Sequence, residues 1–192
     1  MHPAFQYSTY RLKRQVFAMT GVFRLFSENG DLLAYARQKM FKMREDIRLY
    51  NDETQTQELL SIQARQIIDF SAAYDVFDST TQEFVGTLRR RGWRSMMRDE
   101  WELLDAQGMV FGKMQEDSAQ RALLRRLLLG AWLPQRYDIS IGDTLSAEFD
   151  QKFNLLRYEL VLDFKPGLSR PLDRRLGIAA AILLAAIEGR QE

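Results

Sequence analysis

The chain has 192 residues, 46% hydrophobic and 28% charged, a balance that fits one globular domain over residues 1–192 rather than a disordered or fibrous chain. Cysteine is absent and His2 is the single histidine, so thiol nucleophiles, disulfides and Cys/His zinc sites are excluded. With 27 Lys and Arg against 26 Asp and Glu, the net charge of +1 lacks the global signature of a nucleic-acid binder but leaves room for a local basic patch.

In chain order, Met1 to Tyr10 has neither a basic n-region nor an apolar h-region, so the expectation is a cytoplasmic protein. Tyr10 to Val16 and Val22 to Ser27 read as strands. The turn Glu28-Asn29-Gly30-Asp31 then leads into Leu32 to Arg37, and Asn-Gly between alternating runs is a strong hairpin signal. Two similar units follow. Tyr74 to Asp78 turns through Ser79-Thr80-Thr81-Gln82 into Glu83 to Gly86, and Trp101 to Asp105 turns through Ala106-Gln107-Gly108 into Met109 to Lys113. Gly86 and Gly112 inside the return strands suggest bulges or bends of the kind a closing sheet needs. Asp46 to Tyr50, Glu58 to Ala64, Trp93 to Arg98, Arg136 to Ile141, Leu145 to Phe149 and Leu155 to Phe164 complete about a dozen strands, the spacing of a sandwich or barrel.

Two segments break the pattern. Asp117-Ser118 caps a predicted basic amphipathic helix through Leu129, bounded by Gly130 and Pro134. It packs its leucines over the barrel wall in preference to lying in a membrane interface. The second helix follows Pro171, placed in its first turn, and carries no polar side chain from Leu176 to Ile187. At about 1.5 Å per residue that run spans about 18 Å, short of a bilayer core of about 30 Å. A helix that is apolar all round has to be buried. This one is slim, with Ala179, Ala180, Ala181, Ala185 and Ala186, and fits the axis of a closed barrel better than a short membrane tail.

Several of these segments together carry a family resemblance. They are Tyr74-x-Val76-x-Asp78 running on to Val85-Gly86-x-Leu88-x-Arg90, then Ser95, Arg98-Asp99 and Trp101; Lys39 to Glu45; Gln115 to Ser118 before Leu123-Leu124-Arg125-Arg126; and the terminal apolar helix. With these, the sequence resembles the tubby C-terminal-like superfamily, in its LURP-one-related and phospholipid-scramblase-like branch, over about residues 10–188. The resemblance implies a twelve-stranded closed β-barrel around a central C-terminal helix. Tubby proteins bind phosphoinositides through a basic surface site, but no residue of that site maps onto this chain. Scramblase-like relatives carry palmitoylated cysteines and an acidic calcium segment. This chain has no cysteine and no Asp-rich calcium loop, which argues against scramblase activity without closing the question.

The sharpest local feature is the run Arg89, Arg90, Arg91, Trp93, Arg94 and Arg98, free of acids until Asp99. Arginine supplies 21 of the 27 cations, and its planar fork suits phosphate. The functional reading is an anionic-headgroup site with the Trp93 indole at the interface. The plainer reading, a solvated turn between two strands, carries more weight for a charge run. The pairs Glu45/Asp46, Asp99/Glu100 and Glu116/Asp117 read as surface charge, since adjacent strand residues face opposite sides. Phosphate-loop and dinucleotide motifs are absent. The sequence therefore points to a non-catalytic module for anionic phospholipid or membrane surfaces, with no cofactor and no metal. A protein-interaction scaffold is the alternative, and nucleic-acid binding is disfavoured.

Overall fold

The computed structural model describes residues 1–15, 20–39, 46–65, 72–91, 100–116, 135–152 and 157–188. Its strands are β1 (Thr9–Gln15), β2 (Thr20–Ser27), β3 (Leu32–Lys39), β4 (Ile47–Tyr50), β5 (Glu58–Ala64) and β6 (Ala73–Asp78). They continue with β7 (Glu83–Arg90), β8 (Glu100–Leu104), β9 (Val110–Glu116), β10 (Arg136–Ile141), β11 (Thr144–Lys152) and β12 (Arg157–Phe164). Each strand pairs antiparallel with its neighbours in sequence, and β12 pairs with β1 to close the barrel. The expected twelve-stranded barrel is therefore present. The predicted strand Trp93 to Arg98 and the predicted helix over residues 118–129 lie outside the described residues.

Period-two patterning sets which side chains enter the barrel. Along β1, Tyr10, Leu12 and Arg14 are buried while Arg11 and Gln15 are exposed, and β6 and β10 show the same alternation. The hairpin unit read three times in the sequence occurs five times. In each, the return strand holds one residue that the register skips: Leu33, Leu59, Val85, Phe111 and Ser146. The first four are spaced 26 residues apart. Each skipped residue is a β-bulge, which bends the strand and sharpens its twist, as closure requires. The residue after the bulge is Ala34, Leu60, Gly86, Gly112 or Ala147, all facing the interior. A Cβ on Gly86 would lie 3.1 Å from the Leu104 carbonyl oxygen and 3.2 Å from Leu176, and one on Gly112 would lie 2.7 Å from the Ser140 carbonyl oxygen. Glycine lets β7 approach the helix at Leu176 and lets β9 approach the β10 backbone at Ser140.

Helix α1 (Arg174–Glu188) runs inside the barrel against β1, β6, β7 and β12. From Leu176 to Ala186 every residue is buried. No helix among the described residues is long and apolar enough to cross a membrane. Pro171 does not open the helix. Asp173 caps it instead, its carboxylate accepting the Arg175 backbone N–H at 2.9 Å, and the chain turns inward only after Pro171 and Leu172. A Cβ on Gly177 would lie 2.5 Å from the ring of Phe164, which is itself fully buried. At the far end the Arg14 guanidinium donates to the Ala185 carbonyl at 2.7 Å, so a cation meets the negative end of the helix.

One buried ion cluster fixes the depth of α1. Arg175, 5% exposed, donates to Asp78 at 2.8 Å, Glu83 at 2.7 Å and Asp173 at 2.7 Å. Asp78 is fully buried, and burial alone would raise its pKa. The Thr80 hydroxyl, the Arg175 guanidinium and the backbone N–H groups of Thr80 and Thr81 outweigh burial and hold it below the ordinary carboxylate value. The Asp173 carboxylate is the largest influence on Arg175 and keeps its guanidinium protonated against burial, helped by Glu83 and Asp78. At the same end of the barrel, burial pushes the Tyr10 hydroxyl up to about 12, although that oxygen accepts the Tyr7 backbone N–H at 3.0 Å.

Gly177→Ala, which would add about 1 kcal/mol on an exposed helix, is expected to lower stability by about 1–3 kcal/mol because Phe164 has nowhere to move; urea unfolding measures the sign. Because Asp78 has a depressed folded pKa, its contribution is complete above about pH 3.9 and is lost as pH falls through the lower folded value. Asp78→Asn is expected to reduce stability at neutral pH by about 3–5 kcal/mol and to flatten the acid limb of a stability–pH curve. Tyr10 acts with the opposite sign: its contribution is complete below about pH 10 and is lost as pH rises towards about 12.

Candidate functional site

The arginine run begins where β7 ends. Register places Arg89 opposite Glu102 and Arg90 opposite Trp101. Arg89 therefore points outward, whereas Arg90 has the parity of Leu88 and Trp101, the interior side. The Arg91 backbone N–H donates to the Glu100 carbonyl at 3.0 Å, which extends the pairing by one residue.

The outward arginines meet carboxylates from β8. Arg89 donates through Nε to Glu102 Oε2 at 2.8 Å and approaches the same oxygen with Nη2 at 2.6 Å. Arg91 Nε lies 2.8 Å from Glu102 Oε1, and its Nη1 lies 3.5 Å from Glu100. Glu102 is thus clamped between two guanidinium groups, with its own side chain 9% exposed while that of Arg91 is 60% exposed. Arg89 and Arg91 are partnered surface cations, and β7 and β8 bring them together around Glu102. Trp93, Arg94 and Arg98 lie outside the described residues, as do Asp99, Asp117 and Glu45.

A shallow groove of about 300 Å³ runs along the outer wall beside this clamp, lined by Arg91, Glu100, Glu102, Val110, Phe111, Gly112, Lys113 and Gly142. Lys113 is the register partner of Glu102 across the β8–β9 pair. At the end of the groove Met109 in the β8–β9 turn is 66% exposed and Val110, the first residue of β9, is 50% exposed, and Leu145 on β11 is 38% exposed. The turn is rigid: Asp105 accepts the Met109 N–H at 2.8 Å and the Gln107 N–H at 3.0 Å, and Gly108 takes a positive φ of 76°.

Sequence reasoning did not single out Lys113 or the apolar tip. The available signal was Met109-Val110-Phe111 directly after a polar turn, which reads equally as the start of a buried strand. Glu116 departs from the surface-charge reading. It shares the interior parity of Gly112 and Met114 and is only 9% exposed. Among the described residues no three His, Asp or Glu side chains are grouped as metal ligands.

The comparisons agree with this architecture. Residues 9–185 match the model of the family described as LURP-one-related. The X-ray structure of an Arabidopsis thaliana protein superposes with a TM-score of 0.51 at 13% identity, covering 96% of this chain and 94% of that one. No curated protein matches at the level of sequence.

Glu102 holds both arginines in place, so Glu102→Gln is expected to lower stability by about 1 kcal/mol. Glu100→Gln, which removes only the long contact to Arg91, is expected to stay within about 0.5 kcal/mol of the parent. Thermal or urea unfolding of the two variants checks the ordering.

Proposed function

The chain belongs to the LURP-one-related family, within the tubby-like superfamily, and from that premise we propose that it is a non-catalytic module that binds anionic lipid headgroups or anionic membrane surfaces through the wall containing the arginine run. One observation carries the reading: the largely exposed Arg91 shares a groove with Lys113, and the exposed Met109 and Val110 stand at its end. Cations that meet phosphate beside an apolar tip that enters the acyl boundary are the two elements of peripheral membrane attachment. Arginine forks suit phosphate oxygens, and the proposal includes Trp93, Arg94 and Arg98, which follow Arg91 in the sequence. The corresponding location is cytoplasmic and peripheral to a membrane.

Glu100 and Glu102 set the strength of such binding. They offset Arg91 and Lys113 within the groove, so attachment draws on several weak contacts of about 1 kcal/mol each and falls steeply with salt. The same two glutamates favour a second reading, a protein-interaction surface, because a clamp of alternating charge suits a polar protein partner better than a uniform anion.

Sedimentation with vesicles separates the two. The protein is expected to co-sediment with phosphatidylserine-containing vesicles and not with neutral ones. Arg89→Ser, Arg90→Ser and Arg91→Ser together, or Met109→Ser alone, are expected to weaken that binding. Equal sedimentation with neutral and anionic vesicles sinks the lipid reading and favours the protein-interaction surface.

A further inference from the structure

Arg89 and Arg91 are held by carboxylates, but among the described residues other cations on a different wall form no ion pair. Strands β1, β2 and β3 contain no Asp or Glu at all. Their register gathers cations that are scattered in sequence: Lys13 lies opposite Arg24, Arg11 opposite Phe26, and Arg24 opposite Tyr35, with Arg37 two residues along β3 from Tyr35. Arg24 pairs with Glu53 at 2.7 Å, whereas Arg11, Lys13 and Arg37 form no ion pair among the described residues. Lys13 Nζ sits 5.2 Å above the Phe26 ring and Arg24 lies 5.7 Å above the Tyr35 ring, so both cations are braced on the wall rather than swinging free. Like charges directly opposite one another across strands destabilise a sheet. The Lys13–Arg24 opposition is offset from either side, by Glu159 opposite Lys13 and by Glu53 on Arg24.

The borders of the strip limit what fits. On one side β12 presents Glu159, the register partner of Lys13, and Asp163. On the other, Glu53 and Glu58 hold Arg24 and Arg48. A broad polyanion such as a bilayer or a duplex would meet those acids. Among the described residues the exposed large apolar side chains are Met1, Tyr7, Met109, Val110 and Leu145, none of them on β1 to β3, so these strands offer no exposed large apolar side chain to insert among lipid chains. The Phe26 and Tyr35 rings lie beneath Lys13 and Arg24, which leaves no bare face for stacking a base.

We propose that the outer wall of β1–β3 docks an extended acidic segment of a partner protein, with carboxylates at alternate positions. Same-face residues of an extended chain repeat at about 6.8 Å, the separation of Arg11 and Lys13 along β1, and neighbouring strands lie about 4.8 Å apart, the step from Lys13 to Arg24. Carboxylates two residues apart meet Arg11 and Lys13 in register, and the guanidinium forks of Arg24 and Arg37 close from the adjoining strands. This surface is separate from Arg89 and Arg91 on the β7–β8 wall, and the inference does not depend on lipid binding.

The test uses the full chain and a fluorescent peptide of alternating Glu and Ser, about nine residues long so that at about 3.4 Å per residue it spans β1. Fluorescence anisotropy is read at about 0.01 M salt, where the Debye length is about 30 Å. The peptide is expected to bind, and a peptide of the same composition with its glutamates contiguous to bind several-fold more weakly. Replacing Arg11, Lys13, Arg24 and Arg37 by Ser is expected to weaken binding at least tenfold, while Arg89→Ser with Arg91→Ser leaves it unchanged. If the fourfold variant does not unfold cooperatively, Lys13→Ser with Arg37→Ser gives the same binding readout. Unchanged affinity in these variants overturns the proposal. So does a wall that loses binding of oligothymidylate or phosphatidylserine vesicles on mutation while the acidic peptide never binds.

Discussion

A helix with no polar face and a sheet that closes at twelve strands each require the other. Barrels of about eight strands are filled by their own side chains, and wider ones leave a lumen. Here the lumen is occupied by α1, whose alanines keep it narrow enough to enter and whose leucines and isoleucines reach the wall. Water excluded from both surfaces is the main driving force, and close packing makes the fit exacting, as the contacts at Gly177 and Gly86 show.

Apolar packing alone would let such a helix slide or rotate, because one alanine resembles another. The polar contacts at its two ends remove that freedom. Arg175 is held by Asp78, Glu83 and Asp173 at one end, and Arg14 reaches the Ala185 carbonyl at the other. A buried Asp–Arg pair adds little net stability compared with apolar replacements, but it is costly to break, and that asymmetry suits a device that specifies depth. With the interior settled in this way, the outer wall is free to vary, and its charges sort into a partnered clamp on β7–β8 and a strip on β1–β3 whose Arg11, Lys13 and Arg37 form no ion pair among the described residues.

Much of this was legible in the sequence. Period-two alternation and the turn residues located the strands, and the Leu176 to Ile187 run identified the central helix. The repeated hairpin was visible in three of its five occurrences; the β10–β11 unit carries the same signals, Tyr137 two residues before Ile139 and a turn glycine at Gly142, whereas the longer β4–β5 turn has no glycine. What remained hidden was pairing across the chain. Arg175 and Asp78 are 97 residues apart, and nothing local marks them as partners. The arginine run stood out because its residues are adjacent, yet its outward members face glutamates one strand away. Arg11, Lys13, Arg24 and Arg37 attract no notice in sequence and become neighbours only through register. Charge density along a chain and charge density on a sheet are different quantities, and strand pairing converts one into the other.

The central claim is that helix and barrel form one cooperative unit. Native-state hydrogen exchange of the amides from Ile178 to Ala185, compared with the global unfolding free energy from denaturant, tests it most directly. The account predicts that these amides exchange only through global opening, at the full unfolding free energy. Exchange of the helix at a distinctly lower free energy, with strand amides such as those of Leu12, Ile62 and Leu162 still protected, would contradict it.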